Sequence, residues 1–176
     1  QRQMCIRDSC QAMPERGKVL FLDSGWMNDT VRERLRGDLS DEEYRKRLRS
    51  VERMERQLAA DGYLVVKLFL HVSQKTQRQR LEKLAGDKDT AWRAGENDWR
   101  QNKNYDRTLE AFEDFMTQTD RPWAQWKVLD ATWGPQVQCQ AALWLRDCIR
   151  RSLKLAPQAD TPVLAWPLRE PLHLDE

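Results

Sequence analysis

The sequence has little of several features that mark whole classes of protein. Its apolar runs fall well short of the roughly 20 residues that a membrane-spanning helix needs, so no membrane partner is expected. Basic residues number 30 and acidic residues 28, which leaves a formal net charge of only +2. Domains that bind nucleic acid usually carry a strong basic excess. The composition therefore argues against a nucleic-acid partner, and any basic surface must be local.

Cysteine and histidine are too few and too widely spaced for a metal cluster. The four cysteines form no C-x-x-C pair, and His71 and His173 are the only histidines. This spacing argues against a zinc site. The sequence shows no secretory apolar segment, and Cys139 and Cys148 lie within a helical pattern. We therefore expect free thiols in a reducing cytoplasm.

The two ends of the chain lack the periodicity of its middle. Residues 1–9 resemble a translated sequencing adapter, so we expect them to be non-native and the natural chain to continue upstream. Residues 157–176 are aperiodic and contain four prolines, which is typical of a linker or tail. The sequence therefore predicts one domain over residues 10–156.

Within that domain, apolar strand patterns alternate with amphipathic helix patterns. The predicted strands are residues 18–22, 63–70 and 127–131, and the predicted helices are residues 28–37, 41–61, 74–85, 96–119 and 135–153. A capping box of Ser40 and Glu43 opens the second helix. This alternation is typical of an α/β fold in which helices flank a parallel sheet.

Three polar residues are predicted at the carboxyl ends of the strands, where open parallel sheets bind their ligands. They are Asp23, His71 and Asp130. A carboxylate in the position of Asp23 can hold Mg²⁺ beside transferring phosphates, but a strand also often ends in aspartate because that residue caps the next helix. His71 is better explained as a strand-end histidine with a satisfied hydrogen bond, and Asp130 as a cap.

A second candidate site is the basic segment of residues 83–107, in which cations alternate with aromatic residues. Three of the cations, Arg100, Lys103 and Arg107, are spaced i, i+3 and i+7 and are predicted to share one helix face. Such a face could close over a polyanion, neutralise its charge and exclude water during phosphoryl transfer. The alternative is a solvated face whose charge is compensated by nearby acidic residues.

Several motifs follow one another along the chain in a specific order. They are P-x-x-G at residues 14–17, L-D-S-G-W-M-N at residues 22–28, E-R at residues 33–34, V-V-K in the stretch 64–81, D-W-R-Q-N-K-N-Y-D at residues 98–106 and A-Q-W at residues 124–126. In order and spacing they resemble those of the family-2 polyphosphate kinases. The likeness is closer to the polyphosphate:AMP phosphotransferases, which carry two such domains in tandem, and in particular to their first domain.

The resemblance implies a P-loop kinase-like α/β fold that moves phosphate between polyphosphate and AMP or ADP with Mg²⁺. It implies that Asp23 is the catalytic and metal-binding carboxylate. Substrate contacts are implied for Trp26, Asn28, Arg34, Lys88, Arg93, Arg100, Lys103 and Arg107. It further implies a second domain of the same parent chain, reached through residues 157–176, and a homo-oligomer.

The chain also departs from the family pattern. Ser24 replaces the arginine after the Walker-B aspartate, Met27 replaces a tyrosine, and Asn102 stands where active lids often carry arginine. No G-x-x-x-x-G-K-[S/T] phosphate-binding loop is present, and the strand before it is missing too. Two hypotheses remain open: a phosphotransferase domain that is inactive without its upstream loop, or a degenerate domain that supports an active one. A different P-loop nucleotide kinase would fit the fold but not Trp26 and the lid pattern.

Overall fold

The computed structural model describes residues 13–15, 17–23 and 25–155, so the expectations for residues 1–9 and 157–176 fall outside it. In chain order the elements are α1 (Gly25–Arg36), α2 (Asp41–Ala60), β1 (Lys67–His71), α3 (Gln74–Gly86), a 3₁₀ turn (Ala91–Arg93), α4 (Glu96–Lys103), α5 (Tyr105–Thr119), β2 (Trp126–Asp130) and α6 (Gly134–Ser152). Within these ranges no helix has the length and apolar character needed to cross a bilayer.

The two strands pair in parallel, with Lys67 opposite Trp126 and His71 opposite Asp130. Successive side chains of a strand point to opposite faces. Accordingly, Phe69 packs against a core formed by α1, α2 and α5, while its neighbour Leu68 packs against a smaller core at α6. Helices therefore cover both faces of a parallel sheet, which confirms the predicted fold class.

The loop after α1 and the start of α2 follow local sequence signals. Gly37 ends α1 with a φ of +81°, a left-handed conformation that glycine adopts without steric cost. Ser40 then accepts a hydrogen bond from the amide of Glu43, and the Glu43 carboxylate accepts one from the amide of Ser40. The Ser40 hydroxyl also donates to Oε2 of Glu43 at 2.6 Å, and this bond together with the one from the Ser40 amide lowers the pKa of Glu43. The predicted capping box is confirmed.

The predicted strand at residues 18–22 is wrong. The segment is irregular, and the side chains of Val19 and Phe21 are 66% and 79% exposed. A strand needs a neighbour that pairs with its backbone, and the sheet formed by the described residues has only β1 and β2.

The predicted strand at residues 63–70 begins four residues too early. Pairing begins at Lys67 because its partner strand begins at Trp126.

The predicted single helix over residues 96–119 is divided in two. Asn104 leaves the helical conformation, with φ −108° and ψ 37°, and separates α4 from α5. Its side-chain amide donates to the carbonyl of Arg100, and its own carbonyl accepts from the hydroxyl of Thr108. These bonds satisfy backbone groups at the break, so the two helices can take different directions.

An ion pair lies inside the main core. The Nζ of Lys67 is 2.8 Å from Oε2 of Glu55, and the two side chains are 5% and 0% exposed. Lys67 also donates to the carbonyl of Thr119 at 2.8 Å, while Oε1 of Glu55 accepts from the indole of Trp26 at 3.2 Å. Burial raises the pKa of Glu55 and lowers that of Lys67, although each charge partly offsets the effect on the other. The pair joins α1, α2, β1 and the end of α5.

Candidate functional site

A cleft of about 600 Å³ opens between α1 and the α4–α5 pair. The wall on α1 carries Asn28, Arg32 and Arg36, which are spaced by four residues and so share one helix face. The opposite wall carries Arg100 at the end of α4 and Arg107 in the first turn of α5. The break at Asn104 thus places arginines from two helices on the same wall.

The cleft concentrates positive charge in a nearly neutral chain. Its lining includes four arginines and one acidic residue, Asp38, whereas the whole chain has a net charge of +2. Asp38 lies 2.6 Å from Nε of Arg36. The uncharged polar lining includes Asn97, Gln101 and Asn104, which offer amide donors. A surface of guanidinium and amide donors is suited to a ligand with many anionic oxygens.

A second cavity of about 230 Å³ adjoins the cleft at the carboxyl end of β1 and shares Asn28 with it. Here the hydroxyl of Tyr105 donates to the carbonyl of Val72 at 2.6 Å and lies 2.8 Å from Nε2 of His71. Because the hydroxyl has a single hydrogen, it accepts from His71, which assigns a proton to Nε2. The prediction that His71 is a strand-end residue with a satisfied hydrogen bond is confirmed.

Asp130, opposite His71 in the sheet, accepts from the amide of Thr132 at 2.8 Å. Hydrogen bonding by the Thr132 side chain first, and by this amide second, lowers the pKa of Asp130 from its ordinary value. The carboxylate therefore holds the turn before α6. The predicted capping role is wrong, because the N-cap residue of α6 is Trp133, whose side chain makes no capping hydrogen bond.

Asp23 lies exposed just before α1. It does not follow a strand, because residues 18–22 form none. Asn28, in the first turn of α1, lines both cavities. The structure thus places the candidate carboxylate at the start of the helix that forms one wall of the cleft, and its catalytic role stays a prediction.

Trp26 and Arg34 contact α2 and do not line the cleft. The indole of Trp26 donates to Glu55. The guanidinium of Arg34 donates to Asp41 at 2.5 Å and lies 4.6 Å from the ring centre of Tyr44. Both side chains therefore have packing partners in this structure.

The structure brings only part of the predicted basic segment to the cleft. Arg100 and Arg107 line it, but Lys103 does not, so the predicted face of three cations is not one surface. Lys88 lies in the turn after α3 and Arg93 in the 3₁₀ turn; both are exposed and outside the cleft. Arg32 and Arg36 were missed, although their i, i+4, i+8 spacing from Asn28 was available in the sequence.

Asn102 has a structural role that accounts for its identity. The side chain is buried, and its amide donates to the backbone carbonyl of Gln74 and to Oε1 of Gln77, both at 2.9 Å. Gln74 returns a hydrogen bond to the carbonyl of Asn102 at 2.8 Å. These three bonds fasten α4 to α3. A cationic side chain in place of Asn102 would therefore not make these bonds between α4 and α3.

The sequence profile described as polyphosphate kinase 2 matches residues 1–152. The chain belongs to the polyphosphate kinase 2 family. It is 29% identical over 118 residues to a polyphosphate:AMP phosphotransferase of Pseudomonas syringae pv. tomato, which covers 67% of this chain and 24% of that protein. It is also 29% identical over 121 residues to an AMP/ADP-polyphosphate phosphotransferase of Meiothermus ruber, covering 69% of this chain and 45% of that protein. The chain therefore spans less than half the length of either relative.

Solved structures of the polyphosphate kinase 2 family have the same fold. Polyphosphate kinase 2 from Arthrobacter aurescens TC1 superposes with a TM-score of 0.68 at 24% identity, over 78% of this chain and 48% of that one. A putative polyphosphate kinase 2 from Pseudomonas aeruginosa PA01 superposes with a TM-score of 0.79 at 21% identity, over 85% of this chain and 32% of that one. The resemblance to the polyphosphate kinase 2 family drawn from the motifs is confirmed.

Proposed function

We propose that this chain is part of a domain that transfers phosphate between polyphosphate and a nucleoside phosphate, AMP or ADP. The observation that carries the proposal is the cleft, where Arg100 and Arg107 face the arginines of α1 in a chain with almost no net charge. Membership of the polyphosphate kinase 2 family supports this assignment. So do the names of the relatives, which are phosphotransferases of polyphosphate and adenine nucleotides.

The cleft residues would act mainly by electrostatics. Guanidinium groups donate paired hydrogen bonds to phosphate oxygens and stay charged at every working pH. Arg100 and Arg107 would hold the phosphates against Asn28 and reduce the cost of charge on the transferring group. The amides around them would add neutral donors. Such an arrangement contributes by positioning and charge stabilisation, since it needs no covalent step on the protein.

Asp23 is the residue that would hold Mg²⁺. Magnesium usually takes one or two carboxylates and completes its shell with water and substrate phosphates. In the ranges that the structure covers, no group of three or more metal-binding side chains lies together, which fits a cation shared with phosphate rather than one held by protein alone. When bound, the ion would supply neutralising charge beside the transferring phosphoryl group.

The chain is proposed to be inactive by itself, because its sequence has no glycine-rich phosphate loop. In this proposal residues 10–156 form the domain and residues 157–176 connect it to a second domain of a longer cytoplasmic protein that assembles as a homo-oligomer. The free thiols of Cys139 and Cys148 are consistent with a reducing compartment.

The alternative function is a degenerate domain that supports an active partner. One structural observation favours it. Leu70 on β1 is 55% exposed, although apolar strand residues are usually covered. A neighbouring domain could bury it. The substitution of Ser24 for the family's arginine points in the same direction.

The Asp23→Asn variant tests the two functions against each other. In the full-length protein that contains this chain, phosphate transfer from polyphosphate to AMP and ADP is expected to fall by roughly 100-fold or more, because the metal loses its carboxylate. Asp61→Asn, at the exposed end of α2, is the matched control and should leave the rate unchanged. Unchanged transfer by Asp23→Asn, together with loss of assembly when the domain is deleted, would establish the supporting role instead.

A further inference from the structure

The wall of the cleft on α1 carries two arginines, as does the wall on α4 and α5. Arg32 and Arg36 follow Asn28 at intervals of four residues, so each lies about 6 Å further along the helix axis. Both arginines are exposed and both line the cleft. They form a short row of cations that faces Arg100 and Arg107.

We propose that Arg32 and Arg36 are the second half of the phosphate-binding surface, so that a linear chain of phosphates lies between them and the α4–α5 wall. The ligand class is a polyanion of several linked phosphates. The inference deepens the proposed function and rests on it, because that function places phosphates against Arg100 and Arg107 in the same cleft.

The size and charge of the cleft favour several phosphates over one. A volume of about 600 Å³ lies within the roughly 300–1,000 Å³ of pockets that hold ligands much larger than one phosphate group. Four arginines against one aspartate would overcompensate a single phosphate group, but they match a chain that carries a charge on each unit. A row of cations on each wall also suits an extended ligand better than a compact one.

Asp38 weakens the attraction of the α1 wall for phosphate. Its carboxylate contacts Arg36 at 2.6 Å, which holds the guanidinium and removes one unit of charge from the cleft. An incoming phosphate must compete with this carboxylate. Neutralising Asp38 should therefore strengthen binding, whereas removing the arginines should weaken it.

The experiment measures the binding of tripolyphosphate to the full chain by titration calorimetry at several salt concentrations. Arg32→Ala with Arg36→Ala is expected to weaken binding by roughly tenfold or more and to flatten the salt dependence, because two charge-assisted contacts are lost. Asp38→Asn is expected to tighten binding by roughly threefold. The matched control is Arg49→Ala with Arg53→Ala, an exposed pair at the same spacing on α2 and outside the cleft.

The outcomes separate this inference from the proposed function. If Arg32→Ala with Arg36→Ala leaves the affinity for tripolyphosphate unchanged while Arg100→Ala with Arg107→Ala weakens it, the phosphate site is on one wall and the inference is wrong. If neither pair matters, or the unaltered chain does not bind, the proposed function fails too. A loss in the control pair as large as in the α1 pair would show attraction to the chain's general charge and would also overturn the inference.

Discussion

Replacing Lys67 with methionine is expected to lower the free energy of unfolding by about 3–5 kcal/mol. The substitution leaves the carboxylate of Glu55 in the core, at 0% exposure, without its cation. It also removes the donor to the carbonyl of Thr119. Urea denaturation followed by tryptophan fluorescence at pH 7 measures the change. Lys127→Met on the other strand, where the ammonium lies over Trp144, is the matched control and should cost about 1 kcal/mol or less.

The pH dependence of this variant follows from Glu55. Burial already raises the pKa of this carboxyl above its ordinary 4.5, and loss of the ammonium raises it further. The folded state then holds a proton that the unfolded chain releases above about pH 4.5, so folding becomes less favourable as pH rises. The deficit of Lys67→Met should therefore be larger at pH 8 than at pH 5. A loss no greater than that of Lys127→Met would show that the buried pair does not hold the fold together.

Removing both arginines of the α4–α5 wall is expected to have a large effect on catalysis. Arg100→Ala with Arg107→Ala should reduce kcat/KM for transfer from polyphosphate by roughly 100-fold in the full-length protein, because each guanidinium would stabilise charge on the phosphates. If the arginines hold polyphosphate equally in the ground and transition states, the loss will be in KM; a fall in kcat would mark contacts made only in the transition state.

The control for this experiment is again Arg49→Ala with Arg53→Ala, which removes the same charge from α2. Its kcat/KM should stay within about twofold of the unaltered enzyme, since exposed charges away from the cleft are screened by salt. An equal loss of kcat/KM in both double variants would show that the cleft has no specific part in the reaction. Circular dichroism of each variant checks that the fold is retained.

The features that the sequence predicted well depend on neighbouring residues. The capping box of Ser40 and Glu43 involves positions three apart, and the helix predicted over residues 28–37 ends where the backbone of Gly37 turns left-handed. Such signals need no knowledge of the rest of the fold. The parallel pairing of β1 with β2 followed from the alternation of strands and helices, which is also a property of the chain order.

The features that it missed depend on distant partners. The apolar residues 18–22 looked like a strand, but strand formation requires a paired neighbour that local composition cannot supply. Lys67 and Glu55 meet only because β1 packs beside α2. The cleft arises because the chain breaks at Asn104, which aims Arg100 and Arg107 from two helices toward α1. A continuous helix would have grouped Lys103 with them instead.

A map of which arginines a phosphate chain covers would test the phosphate-binding cleft directly. Phenylglyoxal modification of the full chain, with and without tripolyphosphate, can be read at each arginine by mass spectrometry. Modification is expected to be slower at Arg100 and Arg107 when tripolyphosphate is present, and unchanged at Arg49 and Arg53. Protection spread evenly over all of these arginines, or confined to the α2 pair, would contradict a phosphate-binding cleft between α1 and the α4–α5 wall.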